Sequence, residues 1–369
     1  MKRAVALVLV ACAETPPATT PPVTPATPPA PSLSSSWAEE TRSPRPLATR
    51  PESALAAEVL DACGRPDEGL MRLAPVHPEE LTPALRELGL PYMRASYMGA
   101  ANVAADERVK QQLLATLRAR RTDYSRCGVA MEGAAVHVVR AEAFADVSPL
   151  PVRSRTGAWL TFEALVQAPA KAPKVVVVGP RGAPKTFPTS LDARGYVRAR
   201  FVLDHPGPFE VQLIGELDDR STQPLAEAMV FADVEPSFTI AAPGEREASL
   251  EAMVAFVRRD EGLAPLTRDP RLDALAEAHV VKMAKIGRVA HDLGDGDFAR
   301  RFQAEGYSAS VVGENVARAS TLALAHRALW QSPSHRLNLL HAGYTRLGLA
   351  TVTEGPHTWV CETFSSEMQ

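Results

Sequence analysis

Proline is unevenly distributed along this sequence of 369 residues, and its distribution divides the chain. Many of the 32 prolines lie in the first fifty residues, where residues 13–48 consist largely of Pro, Thr, Ala and Ser. A segment of this composition cannot bury enough apolar surface to fold, and proline keeps its backbone extended. We therefore predict a linker over residues 13–49 and folded domains from residue 50 onward.

The extreme N-terminus has the parts of an export signal. Lys2 and Arg3 give a basic start, residues 4–11 are apolar, and Cys12 ends the run. The run is too short to span a membrane. Its last four residues resemble the lipobox of bacterial lipoproteins, which implies a lipoprotein signal peptide over residues 1–12 and lipidation at Cys12. An ordinary signal peptide is the alternative.

The anchor and the linker together predict an exported protein of the bacterial cell envelope, attached to a membrane through its lipid. Ala13, and not Asp, follows the cysteine, which by analogy with lipoproteins favours the outer membrane. The linker would hold the folded part away from that membrane. A disordered leader without a function is the alternative.

The composition is that of an ordinary soluble protein. Hydrophobic residues make up 46% and charged residues 22%, and the net charge is −3. A chain with this charge has no basic surface for nucleic acid, so we expect no nucleic-acid partner. The length predicts two or three domains, and the mixture of helical and strand patterns predicts an α+β multidomain protein.

Residues 50–146 begin with helical patterns and end with strand-like runs. Apolar side chains recur at helical spacing around Leu55 and again over residues 107–121, whereas short apolar strands follow Cys127. These patterns predict a small α/β domain. Cys63 and Cys127 both belong to it and could pair in an oxidising envelope, but their spacing does not decide this.

Residues 147–238 change to short strand runs separated by Pro/Gly clusters. This pattern predicts a β-sandwich. Residues 195–214 resemble immunoglobulin-like (Ig-like) domains of bacterial surface proteins. We interpret this segment as a spacer or docking domain.

Residues 244–369 contain the chemically distinctive motifs. His291 precedes an acidic turn, Glu314 lies in Gly-Glu-Asn, and His335 lies in Ser-Pro-Ser-His. Binding and catalytic groups are usually found at loops and element ends, so these three residues are the candidate cleft and catalytic residues. His279 lies on an apolar helical face and is expected to be a core histidine.

Two imidazoles and a carboxylate permit three interpretations. They can form an open zinc site, with His291 and His335 as metal ligands and one position left for water. They can instead act as a general base and the group that orients it. The third interpretation is a structural network that joins loops. Cys361, in the last predicted strand, is expected to be a buried thiol.

The ordered set of motifs resembles the CAP superfamily, which comprises the cysteine-rich secretory, antigen 5 and pathogenesis-related-1 proteins and is also called SCP-like. The resemblance covers about a third of the chain and implies a three-layer α-β-α sandwich. The matching segments are residues 253–291, 313–317, 330–338 and 344–348.

The cleft of that family holds two His and two acidic side chains. His291 matches the first His, Glu314 the Glu of Gly-Glu-Asn, and His335 the His of the bacterial Ser-Pro-Gly-His motif. Pro333 stands where the second Glu is found in eukaryotic members, and Gly343 replaces the His of a His-Tyr-Thr-Gln motif. The constellation is therefore partial.

The resemblance implies a ligand-binding cleft, since members of the family bind lipids and sterols. We expect a small apolar or envelope-derived ligand, either with or without a divalent metal such as Zn. A metal-assisted hydrolase acting on peptide or envelope polymer and a structural envelope protein are the alternatives. The candidate ligand-binding residues beside the cleft motifs are Asn315, Trp330, Asn338 and Tyr344.

The segment 50–146 also repeats pieces of the last domain, which predicts a degenerate CAP copy that has lost its polar cluster. Chance similarity of short glycine-containing strands is the alternative. The matches are residues 124–130 with 344–350, Glu142 with Glu362, Asn102 with Asn315, Ala101 with Glu314, and His77 with His291.

Overall fold

The computed structural model describes residues 53–74, 80–217 and 222–368. Cys12, the predicted signal peptide and linker, and His77 lie outside the described residues. The described part contains four β-sheets, and helices pack on the first and the last of them. The prediction of a mixed α+β chain with several sheets is confirmed. Within these ranges, no helix is long and apolar enough to cross a membrane.

The N-terminal unit, residues 53–142, forms one four-stranded sheet with helices around it. Three of its helices begin at side chains that cap them: Ser53 accepts from the N–H of Ala56 at 3.1 Å, Asp67 from that of Leu70 at 2.9 Å, and Asp106 from that of Arg108 at 2.9 Å. The elements are α1 (Ala54–Cys63), β1 (Arg65–Pro66), α2 (Glu68–Leu73), α3 (Leu81–Glu87), β2 (Met93–Ala100), α4 (Glu107–Arg120), β3 (Ser125–Glu132) and β4 (Ala135–Glu142).

A disulfide joins two elements of this unit. Cys63 ends α1, Cys127 lies on β3, and their sulfurs are 2.01 Å apart. Both residues are buried in the core that α1 and α4 form with the sheet. Because the bridge closes a loop over a sequence separation of 64, it should stabilise the unit by about 4 kcal/mol through the unfolded chain.

The central sandwich, residues 145–232, consists of two sheets that share one core. Phe162 and Phe201 of the first sheet pack against Phe209 and Val230 of the second. The strand orders are β10-β11-β7-β5 and β6-β13-β12-β8-β9. The strands are β5 (Ala145–Val147), β6 (Arg153–Ser154), β7 (Trp159–Val166), β8 (Lys171–Val178), β9 (Lys185–Phe187), β10 (Thr189–Leu191), β11 (Tyr196–Val202), β12 (Gly207–Glu216) and β13 (Thr222–Ala232).

The C-terminal unit, residues 249–365, has helices on both faces of a four-stranded sheet of order β14-β16-β17-β15. Helices α5, α8 and α9 cover one face, and α6 and α7 cover the other. The elements are α5 (Leu250–Asp260), β14 (Thr267–Arg268), α6 (Pro270–Ile286), α7 (Phe298–Ala304), β15 (Val312–Ala319), α8 (Leu322–Gln331), α9 (Pro333–Leu339), β16 (Arg346–Glu354) and β17 (His357–Ser365).

The first and last sheets have the same connectivity. Their orders, β1-β3-β4-β2 and β14-β16-β17-β15, correspond strand by strand, and only the short first strand of each is parallel to its neighbour. Asp67 caps α2 and donates its N–H to the Cys127 carbonyl; Asp269 caps α6 and donates to the Leu347 carbonyl. The helix order also agrees, except that α4 occupies the place of both α8 and α9.

Strand pairing aligns the N-terminal unit with the C-terminal unit differently from the sequence spacing. Gly128 and Gly348 are equivalent, because each meets the backbone of the helix that starts at the capping Asp. Val129, which follows Gly128, pairs with Val138 in the first sheet. Leu349, which follows Gly348, pairs with Glu362 in the last sheet. Val138, and not Glu142, therefore occupies the position of Glu362.

The same pairing places Tyr97, and not Ala101, at the position of Glu314. Val139 pairs with Gly128 on one side and with Tyr97 on the other. In the last sheet, Thr363 pairs with Gly348 on one side and with Glu314 on the other. Asn102 lies in the turn after β2 with φ 59°, outside any strand. Sequence spacing missed this because insertions in the hairpins shift the count between strands.

A buried arginine joins the three parts of the molecule. Arg86, on α3, donates to Glu210 and Glu227 of the sandwich and to Gln331 on α8 at 3.0 Å. Arg86 and Glu210 are 8% and 4% exposed, so this pair is screened little by solvent. Removing one partner of such a cluster leaves a buried charge unpaired, which is strongly destabilising.

The equivalence of the two glycines leads to a prediction about stability. A Cβ on Gly128 would lie 2.1 Å from the Leu70 backbone, and one on Gly348 would lie 2.3 Å from the Leu272 backbone. Gly128→Ala and Gly348→Ala should therefore each lower the free energy of unfolding by about 1–3 kcal/mol, measured by urea denaturation. Gly69→Ala is the control, because its Cβ would meet only the ends of the Leu90 and Asp67 side chains.

Candidate functional site

The candidate site lies at the edge strand β15, where the two helical layers of the C-terminal unit meet. Side chains alternate along a strand, so Glu314 faces the layer of α6 and α7, whereas Asn315 faces that of α8 and α9. His291 follows α6 and His335 lies on α9. One imidazole therefore reaches the edge from each layer, and the structure brings the three predicted residues together.

His291 and Glu314 form the centre of the site. The Nδ1–H of His291 donates to Glu314 Oε1 at 2.8 Å. The Glu314 side chain is 2% exposed, while that of His291 is 50% exposed. Because Nδ1 faces the carboxylate, the other ring nitrogen, Nε2, is the one left to meet a ligand.

Arg301 holds this pair in place from α7. Its Nη2 donates to Glu314 Oε2, and its Nη1 donates to the carbonyls of His291 at 2.6 Å and Gly296 at 2.7 Å. One guanidinium thus fixes the carboxylate, the histidine backbone and the acidic turn between them. Charge-assisted hydrogen bonds of this kind are about twice as strong as neutral ones.

Two buried side chains lie behind the carboxylate. His279 Nε2 donates to the Ala290 carbonyl at 2.9 Å and lies 3.9 Å from Glu314 Oε1, and burial lowers the pKa of His279. The Cys361 thiol lies 3.7 Å from Glu314 Oε2, and burial together with that carboxylate raises its pKa. His279 is buried in the core, as expected, although it also contacts the site.

His335 faces His291 across the edge of the sheet. Their ring centroids are 6.1 Å apart, and the His335 carbonyl accepts from Asn315 Nδ2 at 3.1 Å. Burial, with a smaller contribution from His291, lowers the pKa of His335 to about 3. His335 is therefore neutral at physiological pH, and within the described structure its Nδ1 has no hydrogen-bond partner.

A network of amides supports His335 from behind. Asn338 Nδ2 donates to Asn315 Oδ1 at 2.9 Å and to the Glu314 carbonyl at 3.1 Å, and Tyr344 OH donates to Asn338 Oδ1 at 3.1 Å. Asn315 Nδ2 also donates to Glu362 Oε2 at 2.9 Å. These bonds tie α9 to β15 and so fix the distance between the two histidines.

Of the four candidate ligand-binding residues, three are buried. Asn315, Trp330 and Tyr344 are 0%, 4% and 2% exposed, and Asn338 is half-buried. Asn315, Asn338 and Tyr344 belong to the amide network, while Trp330, on α8, packs in the core between the helices and the sheet. The structure therefore places these four behind the histidines.

The three predicted residues do not by themselves form a three-ligand zinc site. Glu314 already accepts from His291, Arg301 and the Cys361 thiol. Across the described ranges, no group of three His, Cys, Asp or Glu side chains is arranged to hold a metal ion. The donors free for a metal are the imidazoles of His291 and His335, with Glu314 as the partner that orients one of them.

A comparison with protein families identifies this part of the chain. Residues 252–363 match the family described as CAP, the cysteine-rich secretory protein family. The C-terminal unit is a CAP domain. Its three helix-sheet-helix layers are those that the sequence resemblance implied.

Solved structures resemble parts of the chain at low identity. An outer surface protein from Borrelia burgdorferi is 20% identical, with a TM-score of 0.30 over 32% of this chain and 90% of its own. An extracellular protein with an SCP domain from Bacillus anthracis is 16% identical, with a TM-score of 0.30 over 60% and 88%. Fibronectin(III)-like modules of Clostridium thermocellum CbhA are 13% identical, with a TM-score of 0.18 over 24% and 93%. Among curated proteins, none matches the chain.

The sequence did not point to Arg301 or Glu362 as members of the site of the CAP domain. One signal for Arg301 was present: Phe298, Arg301 and Phe302 are spaced three and four residues apart and so share a helical face. Both phenylalanines are buried, so an arginine between them must find a buried partner. No local signal distinguishes Glu362, because its environment depends on strand pairing.

Glu362 leads to a prediction about pH. Burial raises the pKa of its carboxyl from 4.5 to about 7, so the folded protein keeps a proton that the unfolded chain releases between these values. Stability due to this group is therefore full below pH about 4.5 and falls as pH rises to about 7. The difference in unfolding free energy between Glu362→Gln and the wild type should therefore shift by about 3 kcal/mol in favour of the variant as the pH rises from about 4 to about 8.

Urea denaturation of both proteins across this range measures the difference. The contribution of His335 to stability rises with pH instead, because its pKa is lowered, but it is present in both proteins and cancels in the difference. A difference that does not change with pH would mean that Glu362 is ionised in the folded protein.

Proposed function

We propose that this is an exported cell-envelope protein whose CAP domain binds an envelope-derived ligand between the imidazoles of His291 and His335. The observation that supports this most directly is that the two histidine rings face each other, with their centroids 6.1 Å apart. One of them is half exposed and is held by a buried carboxylate. A rigid pair of this kind at an open edge is suited to binding a polar group.

The hydrogen bonds and the burial of the two rings define what the pair can hold. The Nδ1–H of His291 is directed at Glu314, so its Nε2 is the ring nitrogen left to meet the ligand. His335 is uncharged at neutral pH. The pair therefore suits a ligand with a hydroxyl, amide or similar neutral polar group. Ile286 and Val289, which precede His291, are 51% and 39% exposed and offer apolar surface to the rest of an amphipathic ligand.

A divalent metal is part of this proposal only as a two-histidine site. His291 and His335 would hold it, and Glu314 would orient His291. When bound, the metal would supply a Lewis acid at the edge of the cleft. Neutral imidazoles are the form that binds metal, and the low pKa of His335 favours that form.

A hydrolase acting on peptide or envelope polymer is the second candidate. The observation in its favour is that a carboxylate orients His291 by its Nδ1–H, as in a general-base dyad. His291, and not Glu314, would be the base, because Glu314 is buried, its Oε2 accepts from Arg301 and its Oε1 accepts from His291. Release of soluble fragments from purified cell-wall polymer, abolished by His291→Ala, would decide for this function.

The experiment that tests ligand binding compares His291→Ala and His335→Ala with the wild type. Lipids and other small molecules that co-purify with each protein are identified by mass spectrometry, and bound metal is measured by elemental analysis. Both variants should lose the ligand at least about tenfold, because each removes half of the pair. His205→Ala is the control, since His205 is an exposed histidine of the sandwich.

The outcomes separate the alternatives. Metal that is present in the wild type and absent from both variants supports the two-histidine site. Ligand loss without metal in any sample supports binding alone. A ligand retained in full by both variants would remove the cleft from the proposal.

Attachment to the envelope is supported by the lipobox at residues 9–12 and by the disulfide between Cys63 and Cys127, since disulfides persist in oxidising compartments. Cys12→Ser should move the protein from the membrane fraction to the soluble fraction, because the lipid is the proposed anchor. Fractionation followed by immunoblotting measures this. Thermal unfolding should be unchanged, and a variant that still fractionates with membranes would contradict the anchor.

Two further parts of the proposal concern the other units. The N-terminal unit is proposed to be a degenerate CAP copy, supported by its identical strand order and its equivalent Asp caps. Similar destabilisation by Gly128→Ala and Gly348→Ala is the test, and a neutral effect of either would count against it. The sandwich is proposed to be Ig-like, because its sheets follow the orders D-E-B-A and A′-G-F-C-C′ of that fold.

A further inference from the structure

A groove of about 580 Å³ lies on the central sandwich, far in the sequence from the histidine pair. It is an open groove on the surface of the sheet and not an enclosed cavity. The end of β9, strands β10 and β11, and the start of β7 form it. The lining residues are Trp159, Phe187, Pro188, Thr189, Ser190, Arg198, Ala199 and Arg200.

The sheet that carries the groove exposes large apolar side chains. Trp159 is 59%, Tyr196 51% and Leu191 52% exposed. The contacts of the sandwich with its neighbours include Glu210 and Glu227, which belong to the other sheet. Because more than half of the Trp159 and Tyr196 side chains is exposed, these aromatic rings are available to a ligand.

The charges of the groove have one sign. Arg198 and Arg200 are its charged lining residues. Arg200 lies over the Trp159 ring, 5.4 Å from its centroid, and among the described residues it has no carboxylate partner. Arg198 pairs with Glu163, but their side chains are 67% and 39% exposed, so this pair is weak and exchangeable.

We infer that this groove binds a carboxylated glycan, with a sugar ring against the exposed part of Trp159 that Arg200 leaves free and its carboxylate between Arg198 and Arg200. An exposed aromatic ring packs well against the C–H face of a sugar, because that face is apolar. Guanidinium groups bind carboxylates through two parallel hydrogen bonds. The ligand class follows from these two contacts together.

The groove is less suited to an acidic peptide. A peptide that adds to a sheet edge needs a row of free backbone groups, and the edge strand β10 has only three residues, Thr189–Leu191. The hydroxyls of the edge are already engaged. Thr189 Oγ1 accepts from the Val175 N–H at 3.0 Å, and Ser190 Oγ donates to the Arg198 carbonyl at 3.2 Å. Recognition here rests on ring stacking and charge.

The test is calorimetric titration of the purified full-length protein with polygalacturonate. Dextran serves as the neutral glycan and polyglutamate as the acidic peptide. Polygalacturonate should bind, and raised salt should weaken its binding. Trp159→Ala and Arg200→Gln should each weaken it at least about tenfold. Arg194→Gln, an exposed arginine of the same unit outside the groove, should leave it unchanged.

Four results would overturn the inference. One is the absence of polygalacturonate binding. The second is binding that is unaffected by both groove substitutions. The third is equal binding of polyglutamate in competition with polygalacturonate, which would identify the ligand as an acidic peptide. The fourth is binding of dextran as tight as that of polygalacturonate, which would contradict the role of the two arginines.

Discussion

A buried carboxylate at the edge of a sheet is the constraint on which the CAP site depends. An isolated ionised carboxylate in an apolar interior is strongly unfavourable, and Glu314 has a side chain only 2% exposed. Its neighbours compensate by supplying an arginine, an imidazole N–H and a thiol. The positions of α7, of His291 in the turn after α6 and of Cys361 on β17 all follow from that requirement, because each provides one of these partners.

The second histidine is positioned by different physics. His335 has no charged partner in the described structure; its helix is fixed by amide hydrogen bonds to β15 through Asn315 and Asn338. The two imidazoles therefore differ in their hydrogen-bond partners, although they face each other. His291 is polarised by a carboxylate, whereas His335 is kept neutral by burial. This asymmetry gives the site two distinct nitrogen environments for one ligand.

The sequence predicted the parts of the site that local motifs encode. His291, Glu314 and His335 lie in short motifs at element ends, and all three meet in the structure. Arg301 and Glu362 were not predicted, since their roles depend on non-local pairing of α7 with β15 and of β15 with β17. The same limit explains the comparison of the N-terminal unit with the C-terminal unit. Equal spacing within one strand aligned Tyr124 with Tyr344. Counting across the hairpin then aligned Glu142 with Glu362, whereas the strand register aligns Val138 with Glu362.

The residue beside His335 has a consequence for work with recombinant fragments. Arg336 is 1% exposed, lies 3.6 Å from the centroid of the Trp330 ring and donates to the Gly179 carbonyl of the sandwich at 2.9 Å. A fragment limited to residues 244–369 would lose this hydrogen bond and leave the guanidinium more exposed to water. Affinities measured on such a fragment would describe a His335 that is held less firmly than in the full chain. The sandwich therefore helps to fix one wall of the cleft.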